Sequence, residues 1–297
     1  MRFSILFSVL FVASTAMSQP RGRRPQAASD DEPARPQVTL ADLDEIAPKL
    51  QSANLDEVRE AIDLLSVIDH PRVVPHLADL LRSGRPDAIT NRALSALGGL
   101  AAPESIEVLT EFTNHRRAGA RRRAYQALAA IDDRRVAPLL ERGLRDSDRT
   151  VRGAAALALG EIGARRSLDV LFRAFERNVI EAAIAIGKIG TAEAIERYDA
   201  FLGQEPLGVM LSGYNEFLRR DDIAHNAKKA IVERLGEVAG VMVRRFLQDY
   251  LRTLPERTRN RQIQEMKTLL EETIARIPEE AAGVRMGPGA GAQGGGQ

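Results

Sequence analysis

Residues 148–163 read DRTVRGAAALALGEIG and carry an apolar face at helical spacing. Leu159 and Ala155 lie three and seven positions before Ile162, so all three share one face of a helix. The small alanine permits close approach of a neighbouring helix, and the larger leucine fills the layer between the two. The stretch therefore predicts a helix that packs against other helices through an alanine and leucine face.

The same pattern recurs with a period of about 31 residues. The anchor positions equivalent to Ile162 are Ile68, Leu100, Ile131, Ile162, Ile189 and Leu235. Seven positions before the first five anchors stand Ala61, Ala93, Ala124, Ala155 and Ala182. Three positions before them stand Leu65, Leu97, Leu128, Leu159 and Ile186. Self-similarity of this length indicates a stack of repeated units.

A second amphipathic helix follows the first in each unit. Six residues after the anchors come Val74, Ile106, Ala137, Leu168 and Ile195. Nine residues after them come Leu77, Leu109, Leu140, Leu171 and Tyr198. Turns such as residues 69–71 and 101–103 separate the two helices. Because a single helical hairpin cannot bury its apolar face, the hairpins are expected to stack on one another.

Residues 148–163 closely resemble the HEAT repeat, in particular the bacterial HEAT-like repeats of the phycobilisome-lyase type, and residues 183–190 strengthen the resemblance. It covers about residues 54–251. The resemblance implies an all-α fold, a HEAT-like α-solenoid forming a right-handed superhelix of about six helical hairpins. The sixth repeat departs from the pattern, with Lys228 where alanine is expected. HEAT-like arrays serve many functions, so the motif is specific for fold and weak for activity.

Both ends of the stack are expected to carry capping helices. Thr39 and Asp42 form an N-cap signature for a helix over residues 39–50, which Pro48 is expected to bend. At the other end, residues 256–277 keep apolar residues in phase and predict a closing helix.

The termini differ in composition from the predicted solenoid at residues 38–278. Residues 1–18 combine one basic residue with an apolar stretch shorter than the ~20 residues of a membrane-spanning helix, which is typical of a signal peptide cleaved after Ser18. The alternative is an uncleaved membrane anchor. Residues 19–37, rich in proline and arginine, and residues 279–297, rich in glycine, are expected to be disordered. We therefore expect a periplasmic or secreted protein without a membrane span after cleavage.

The composition limits the available chemistry. The chain has no cysteine, which excludes disulfides, thiolate metal sites, thiol nucleophiles and a lipid on an N-terminal cysteine. Some HEAT-like enzymes hold a di-iron centre with His-Glu pairs, but the four histidines here are followed by Pro71, Leu77, Arg116 and Asn226. No histidine has a second histidine four residues later, as a helical zinc site requires. We expect no metal, no cofactor and no enzymatic activity.

Charge is segregated along the chain. Residues 30–69 hold 11 acidic and 3 basic residues, whereas residues 115–177 hold 15 arginines and 8 acidic residues. Positions four and eleven after each anchor point away from the buried face of the second helix. In repeats three and four these positions are occupied by Arg135, Arg142, Arg166 and Arg173. The resemblance to HEAT arrays implies that these arginines lie on the concave side.

The four arginines are our first candidate binding site. Guanidinium groups pair bidentately with carboxylates, so we expect them to bind an acidic segment of an envelope protein. The alternative is a solvated ladder of ion pairs, each contributing about 0 to 1 kcal/mol. In that ladder Arg135 and Arg142 would pair with Glu104 and Glu111 of the preceding repeat.

A second candidate is the 15-residue excess between the fifth and sixth repeats. It lies within residues 204–222, and its candidate binding residues are Tyr214 and Phe217. Insertions in repeat arrays often carry binding groups, because the stack tolerates them without losing its core. The alternative is that this helix packs on the stack and fills a gap.

These observations predict an exported, non-enzymatic scaffold that binds a protein partner and is monomeric. One alternative is a chromophore-handling or ligand-handling protein similar to the lyases that share the repeat. Another is a nucleic-acid-binding protein similar to HEAT-like DNA glycosylases, whose signature would be a steep loss of DNA affinity with salt. Export argues against that alternative, so we expect no nucleic-acid partner.

Overall fold

The structure is a computed structural model that describes residues 38–278. Over this range it contains 15 α-helices and four short 3-10 helices, and no strand apart from one isolated β-bridge. The predicted all-α fold is therefore confirmed. The predicted signal peptide at residues 1–18, the linker at residues 19–37 and the tail at residues 279–297 lie outside the described residues.

The helices have the following bounds. The first eight α-helices are α1 (Leu43–Ile46), α2 (Leu55–Ser66), α3 (Val73–Arg82), α4 (Asp87–Leu100), α5 (Ile106–Phe112), α6 (Ala118–Leu128), α7 (Val136–Gly143) and α8 (Arg149–Glu161). The next seven are α9 (Leu168–Phe175), α10 (Ala182–Ile189), α11 (Ala192–Asp199), α12 (Leu207–Arg219), α13 (His225–Val238), α14 (Val241–Thr253) and α15 (Arg261–Arg276). The 3-10 helices cover Leu40–Asp42, Ala47–Gln51, Pro103–Ser105 and Arg165–Ser167.

The first helices of the five predicted repeats, α2, α4, α6, α8 and α10, form one row in which each packs on the next. The five alanines seven positions before the anchors are fully buried, as are the five larger residues three positions before them. The predicted alanine and leucine face is therefore the contact between repeats. The second helices α3, α5, α7 and α9 each pack against the first helix of the following repeat.

Glycines two positions before an anchor bring successive first helices into backbone contact. A Cβ added at Gly98 would lie 2.9 Å from the Cα of Ala127, and one added at Gly160 would lie 2.8 Å from the Cα of Ala185. Neither distance leaves room for a side chain at the glycine position. These glycines therefore set the spacing between α4 and α6 and between α8 and α10.

The segment predicted as an insertion, residues 204–222, forms α12, which packs on α10 as α10 packs on α8. Where α10 and α12 cross, a Cβ at Gly187 would overlap the carbonyl oxygen of Gly213. Phe217 follows Ile189 by 28 residues, close to the preceding interval between anchors, and Gly213 lies four positions before it. We conclude that α12 is the sixth first helix of the row and that Phe217 occupies its anchor position.

The last three helices close the described part of the chain. Helix α14 packs on α12, and α15 packs on α13 and α14. Leu235, predicted as the sixth anchor, is fully buried but lies on α13, outside the row of first helices. The predicted closing helix starts later than residue 256, because the Asn260 side chain caps α15 by accepting a hydrogen bond of 2.9 Å from the backbone N–H of Gln262.

The N-terminal cap follows its sequence signature. The backbone N–H of Thr39 donates to Asp42 Oδ2 at 2.7 Å, and the Thr39 hydroxyl donates to the same oxygen at 2.9 Å. Instead of one bent helix over residues 39–50, the structure has α1 between two 3-10 helices, the second of which contains Pro48. A proline lacks the N–H that a continuing α-helix needs, which accounts for the tighter turn.

Candidate interaction surface

We define the arginine surface as Arg135, Arg142, Arg166 and Arg173, which lie at or just before the second helices of repeats three and four. Arg135 directly precedes α7, and Arg166 lies in the 3-10 helix that precedes α9. Arg142 and Arg173 lie in the last turns of α7 and α9, where a positive charge interacts favourably with the helix dipole. Each of two neighbouring second helices thus has one arginine just before its start and one in its last turn.

The two faces of α7 and α9 differ in solvent exposure. Leu140 of α7 and Leu171 of α9 are fully buried against the row of first helices, whereas all four arginines are exposed. Because the apolar stripe fixes the rotation of each helix, the guanidinium groups point into solvent on the opposite face.

The guanidinium group of Arg135 forms an ion pair with Asp133, two residues earlier in the chain. Its Nε and Nη2 donate to Asp133 Oδ1 and Oδ2 at 2.9 and 2.8 Å, and its backbone N–H donates to Oδ1 at 2.8 Å. The Arg135 guanidinium, followed by this backbone N–H, lowers the pKa of Asp133 to about 2. At neutral pH the pair is therefore fully ionised, and part of the Arg135 charge is neutralised.

The other three members have no such partner. Within residues 38–278, the side chains of Arg142, Arg166 and Arg173 make no hydrogen bond and no salt bridge. The alternative pairing of Arg142 with Glu111 is not formed, because Arg82 Nη2 and Nε donate to Glu111 at 2.6 and 3.1 Å. Nor does Arg135 pair with Glu104, since its guanidinium is held by the nearer Asp133.

The acids closest in sequence to Arg173 are engaged elsewhere. Arg197 of α11 donates to Asp169 of α9 at 2.7 Å and approaches Glu176 to 3.9 Å. The same guanidinium stacks on the ring of Phe172 at 3.9 Å from its centroid, a favourable cation–π position. These contacts leave Arg173 without an ion pair in the described part of the chain.

The backbone beneath the arginine surface is held by two partly buried contacts. The Ser167 hydroxyl donates to Glu141 Oε1 at 2.6 Å and links the start of α9 to α7. Arg121 of α6 donates to both oxygens of Asp146 at 2.7 Å, and both side chains are at least 87% buried. Burial raises the pKa of Asp146, but the hydrogen bonds from Arg121 and from the backbone outweigh it, so the pKa lies below its ordinary value.

The second candidate site does not form a surface. Tyr214 and Phe217 are fully buried on α12, which packs on α10 and α14, and both rings contact Tyr198 of α11. The Tyr214 hydroxyl donates to Asp199 Oδ1 at 2.5 Å, and its ring meets Tyr198 edge-on with centroids 5.1 Å apart. In this conformation a partner cannot reach either residue. The packing supports the alternative interpretation, in which α12 fills its place in the stack.

Among residues 38–278, no group of three or more histidine, aspartate or glutamate side chains is arranged to hold a metal ion. Over the same range, no helix combines the length and the apolar character that crossing a bilayer demands.

The rows of stacked helical hairpins define the class of protein as an α-solenoid repeat protein. Residues 106–180, which carry the whole arginine surface, match the family model for HEAT repeats. No curated protein sequence matches the chain.

The chain is similar to three structures of other proteins. A homology model of the full-length AP-3 complex in an intermediate open conformation shares 15% identity and a TM-score of 0.50, over 77% of this chain and 50% of that chain. The CpcE–CpcF complex of phycocyanin lyase from Nostoc sp. PCC7120 shares 19% identity over 83% of this chain and 100% of that chain, with a TM-score of 0.44. Human deoxyhypusine hydroxylase in complex with glycerol shares 16% identity over 79% and 96%, with a TM-score of 0.40.

Proposed function

We propose that this protein is a non-enzymatic interaction scaffold, exported beyond the inner membrane, whose arginine surface binds an acidic segment of an envelope or periplasmic protein. The HEAT-repeat fold is compatible with a protein-interaction scaffold. The observation that carries the proposal is the presence of three exposed arginines on adjacent second helices with no acidic partner within residues 38–278. The scaffold acts as a monomer.

The arrangement suits carboxylates on an extended chain. Each free guanidinium offers a planar pair of donors that matches a carboxylate, and Arg142, Arg166 and Arg173 can do so without breaking an existing ion pair. Arg135 would first have to release Asp133, so it contributes less to binding than the other three. Because Ser167 and Glu141 join α7 to α9, the spacing of the arginines is set before a partner arrives.

A fluorescently labelled octaglutamate peptide tests this binding by fluorescence anisotropy at low ionic strength. We expect the wild-type protein to bind the peptide and the double variant Arg142→Glu/Arg173→Glu to lose at least about tenfold in affinity, equivalent to ~1.4 kcal/mol. Affinity should fall as salt is added, because exposed charges are screened.

The matched control is the double variant Arg122→Glu/Arg149→Glu, which has the same net charge. Both arginines are exposed and lie on the first helices α6 and α8. If this control weakens binding as much as the variant of the arginine surface, the peptide senses only net charge and the proposal fails. Cross-linking in intact cells then identifies the natural partner, and the compartment of that partner tests export.

A further inference from the structure

A cavity of about 450 Å³ lies where α12, α13, α14 and α15 meet, away from the arginine surface. Its volume is within the range of ~300 to 1,000 Å³ found for small-molecule sites. Part of its wall is apolar and consists of Leu218, Ile223, Leu254, Ile263 and Met266. Such a wall favours a hydrocarbon or aromatic group over water.

Lys228 gives the cavity a charged end. It stands seven positions before Leu235, where the repeat pattern places alanine. Its side chain lines the cavity, is partly buried, and makes no hydrogen bond or salt bridge within residues 38–278. Burial lowers the pKa of Lys228, with Asp221 and Asp222 acting in the opposite direction. A partly desolvated ammonium group without a partner attracts an anion more strongly than one in water.

The other charged groups of the wall leave one positive charge in excess. Arg219 also lines the cavity and makes no salt bridge among the described residues, while Asp221 is the acid on the wall. Asp222 is engaged outside the cavity by Arg220 and Arg165, at 2.7 and 2.8 Å. Two cations and one carboxylate therefore suit a ligand that carries a single negative charge.

The imidazole of His225 completes the polar wall. Its Nε2 is buried without a hydrogen-bond partner within residues 38–278, and Glu265 Oε2 is 3.6 Å away, too far for a hydrogen bond. Glu265 is not part of the cavity wall and is paired with Arg261, whose Nε donates to Glu265 Oε1 at 2.9 Å. Asp221, the acid on the wall, disfavours a doubly charged anion such as a phosphate monoester.

We propose that this cavity binds a small monocarboxylate with an apolar chain, its carboxylate beside Lys228 and Arg219 and its chain against Ile263 and Met266. The site is independent of the arginine surface, since the two sets share no residue. Binding here does not depend on the proposed scaffold function.

Isothermal titration calorimetry with sodium octanoate tests the proposal on the full chain at neutral pH. Octylamine and octanol serve as ligands with the same chain and a positive charge or no charge. We expect octanoate to bind and both other ligands to bind at least about tenfold more weakly. The variant Arg142→Glu/Arg173→Glu should bind octanoate as the wild type does.

Two substitutions locate the site. Lys228→Gln and, separately, Arg219→Gln should each weaken octanoate binding, the former by at least about tenfold. Arg219 is exposed, so its substitution does not endanger the fold, and circular dichroism verifies that both variants are folded. Lys229→Gln, the adjacent residue outside this cavity, is the matched control and should leave binding unchanged. Absence of octanoate binding to the folded protein, equal binding of octanol, or an unaffected Lys228→Gln variant would overturn the proposal.

Discussion

Ser105 and Ser167 show how one repeat position acquires different roles. Both stand five residues after an anchor and both are buried. The Ser167 hydroxyl donates to Glu141 of the preceding second helix, whereas the Ser105 hydroxyl has no hydrogen-bond partner within residues 38–278. The reason lies in the preceding repeat, where Ala78 takes the place that Glu141 occupies relative to its own anchor.

This difference predicts unequal effects of the same substitution. Ser167→Ala should lower the free energy of unfolding by about 1–2 kcal/mol, because it removes a hydrogen bond to a charged acceptor. Ser105→Ala should change it by less than about 0.5 kcal/mol or stabilise slightly, because it removes a hydroxyl that is buried without a partner. Urea denaturation of the two variants measures both values. Equal losses would show that the hydroxyl of Ser167 contributes nothing beyond its packing.

Individual side-chain partners are the part of the candidate site that the sequence could not supply. The exposed face of the second helices follows from helical periodicity, and all four arginines are exposed as that periodicity predicts. Their ion pairs do not follow from it. Asp133 competes for Arg135 from two residues away, and Arg82 reaches Glu111 from the preceding second helix. Such competition depends on rotamers and turn geometry rather than on register.

At the scale of the helix, the sequence predicted the row of first helices through its alanines, and it failed where alanine is replaced. In α12 the positions equivalent to alanine, leucine and the anchor are Met210, Tyr214 and Phe217, all fully buried. The larger side chains concealed the repeat, although the interval of 28 residues from Ile189 was present in the sequence. A pattern based on residue type therefore missed a helix that a pattern based on spacing includes.

Adjacent glycines of α4 test the contact between first helices. A Cβ at Gly98 would lie 2.9 Å from the Cα of Ala127, whereas a Cβ at Gly99 would meet nothing within 4 Å. Gly98→Ala should therefore destabilise the protein by about 1–3 kcal/mol through overpacking. Gly99→Ala should stabilise it by about 0.4–1 kcal/mol through reduced freedom of the unfolded chain.

Thermal and urea denaturation followed by circular dichroism measure both glycine variants. The neighbouring positions share the same helix and the same substitution, so differences in helix propensity cancel in the comparison. A stabilising Gly98→Ala would mean that α4 and α6 are not in backbone contact at this point.

At the scale of the whole described unit, each helix pair depends on its neighbours for burial, so a helix in the row is not dispensable. Deletion of residues 204–220 removes α12, and it should expose the faces of α10 and α14 that pack on it. We expect the deletion variant to lose cooperative unfolding rather than to remain folded and lose only a binding activity. Circular dichroism melting and hydrogen exchange provide the measurement.

The control for this deletion lengthens the chain at the same place. Gln204 is exposed in the turn before α12, and loops tolerate insertion at a small cost in free energy. A four-residue Gly-Ser insertion after Gln204 should leave the melting temperature within a few degrees of the wild type, roughly the shift expected for ~1 kcal/mol. If the deletion variant melts at the same temperature as this insertion variant, α12 is an accessory segment and not part of the row of first helices.

The burial of the tyrosines makes intrinsic fluorescence a probe of unfolding in this protein. The chain has no tryptophan and four tyrosines, all of them buried: Tyr125, Tyr198, Tyr214 and Tyr250. Three of the four lie on α11, α12 and α14, so intrinsic fluorescence is weighted toward that end of the stack, while far-ultraviolet ellipticity averages over every helix. The difference between the melting temperatures measured by fluorescence and by ellipticity thus shows, without a label, whether both ends of the stack unfold together.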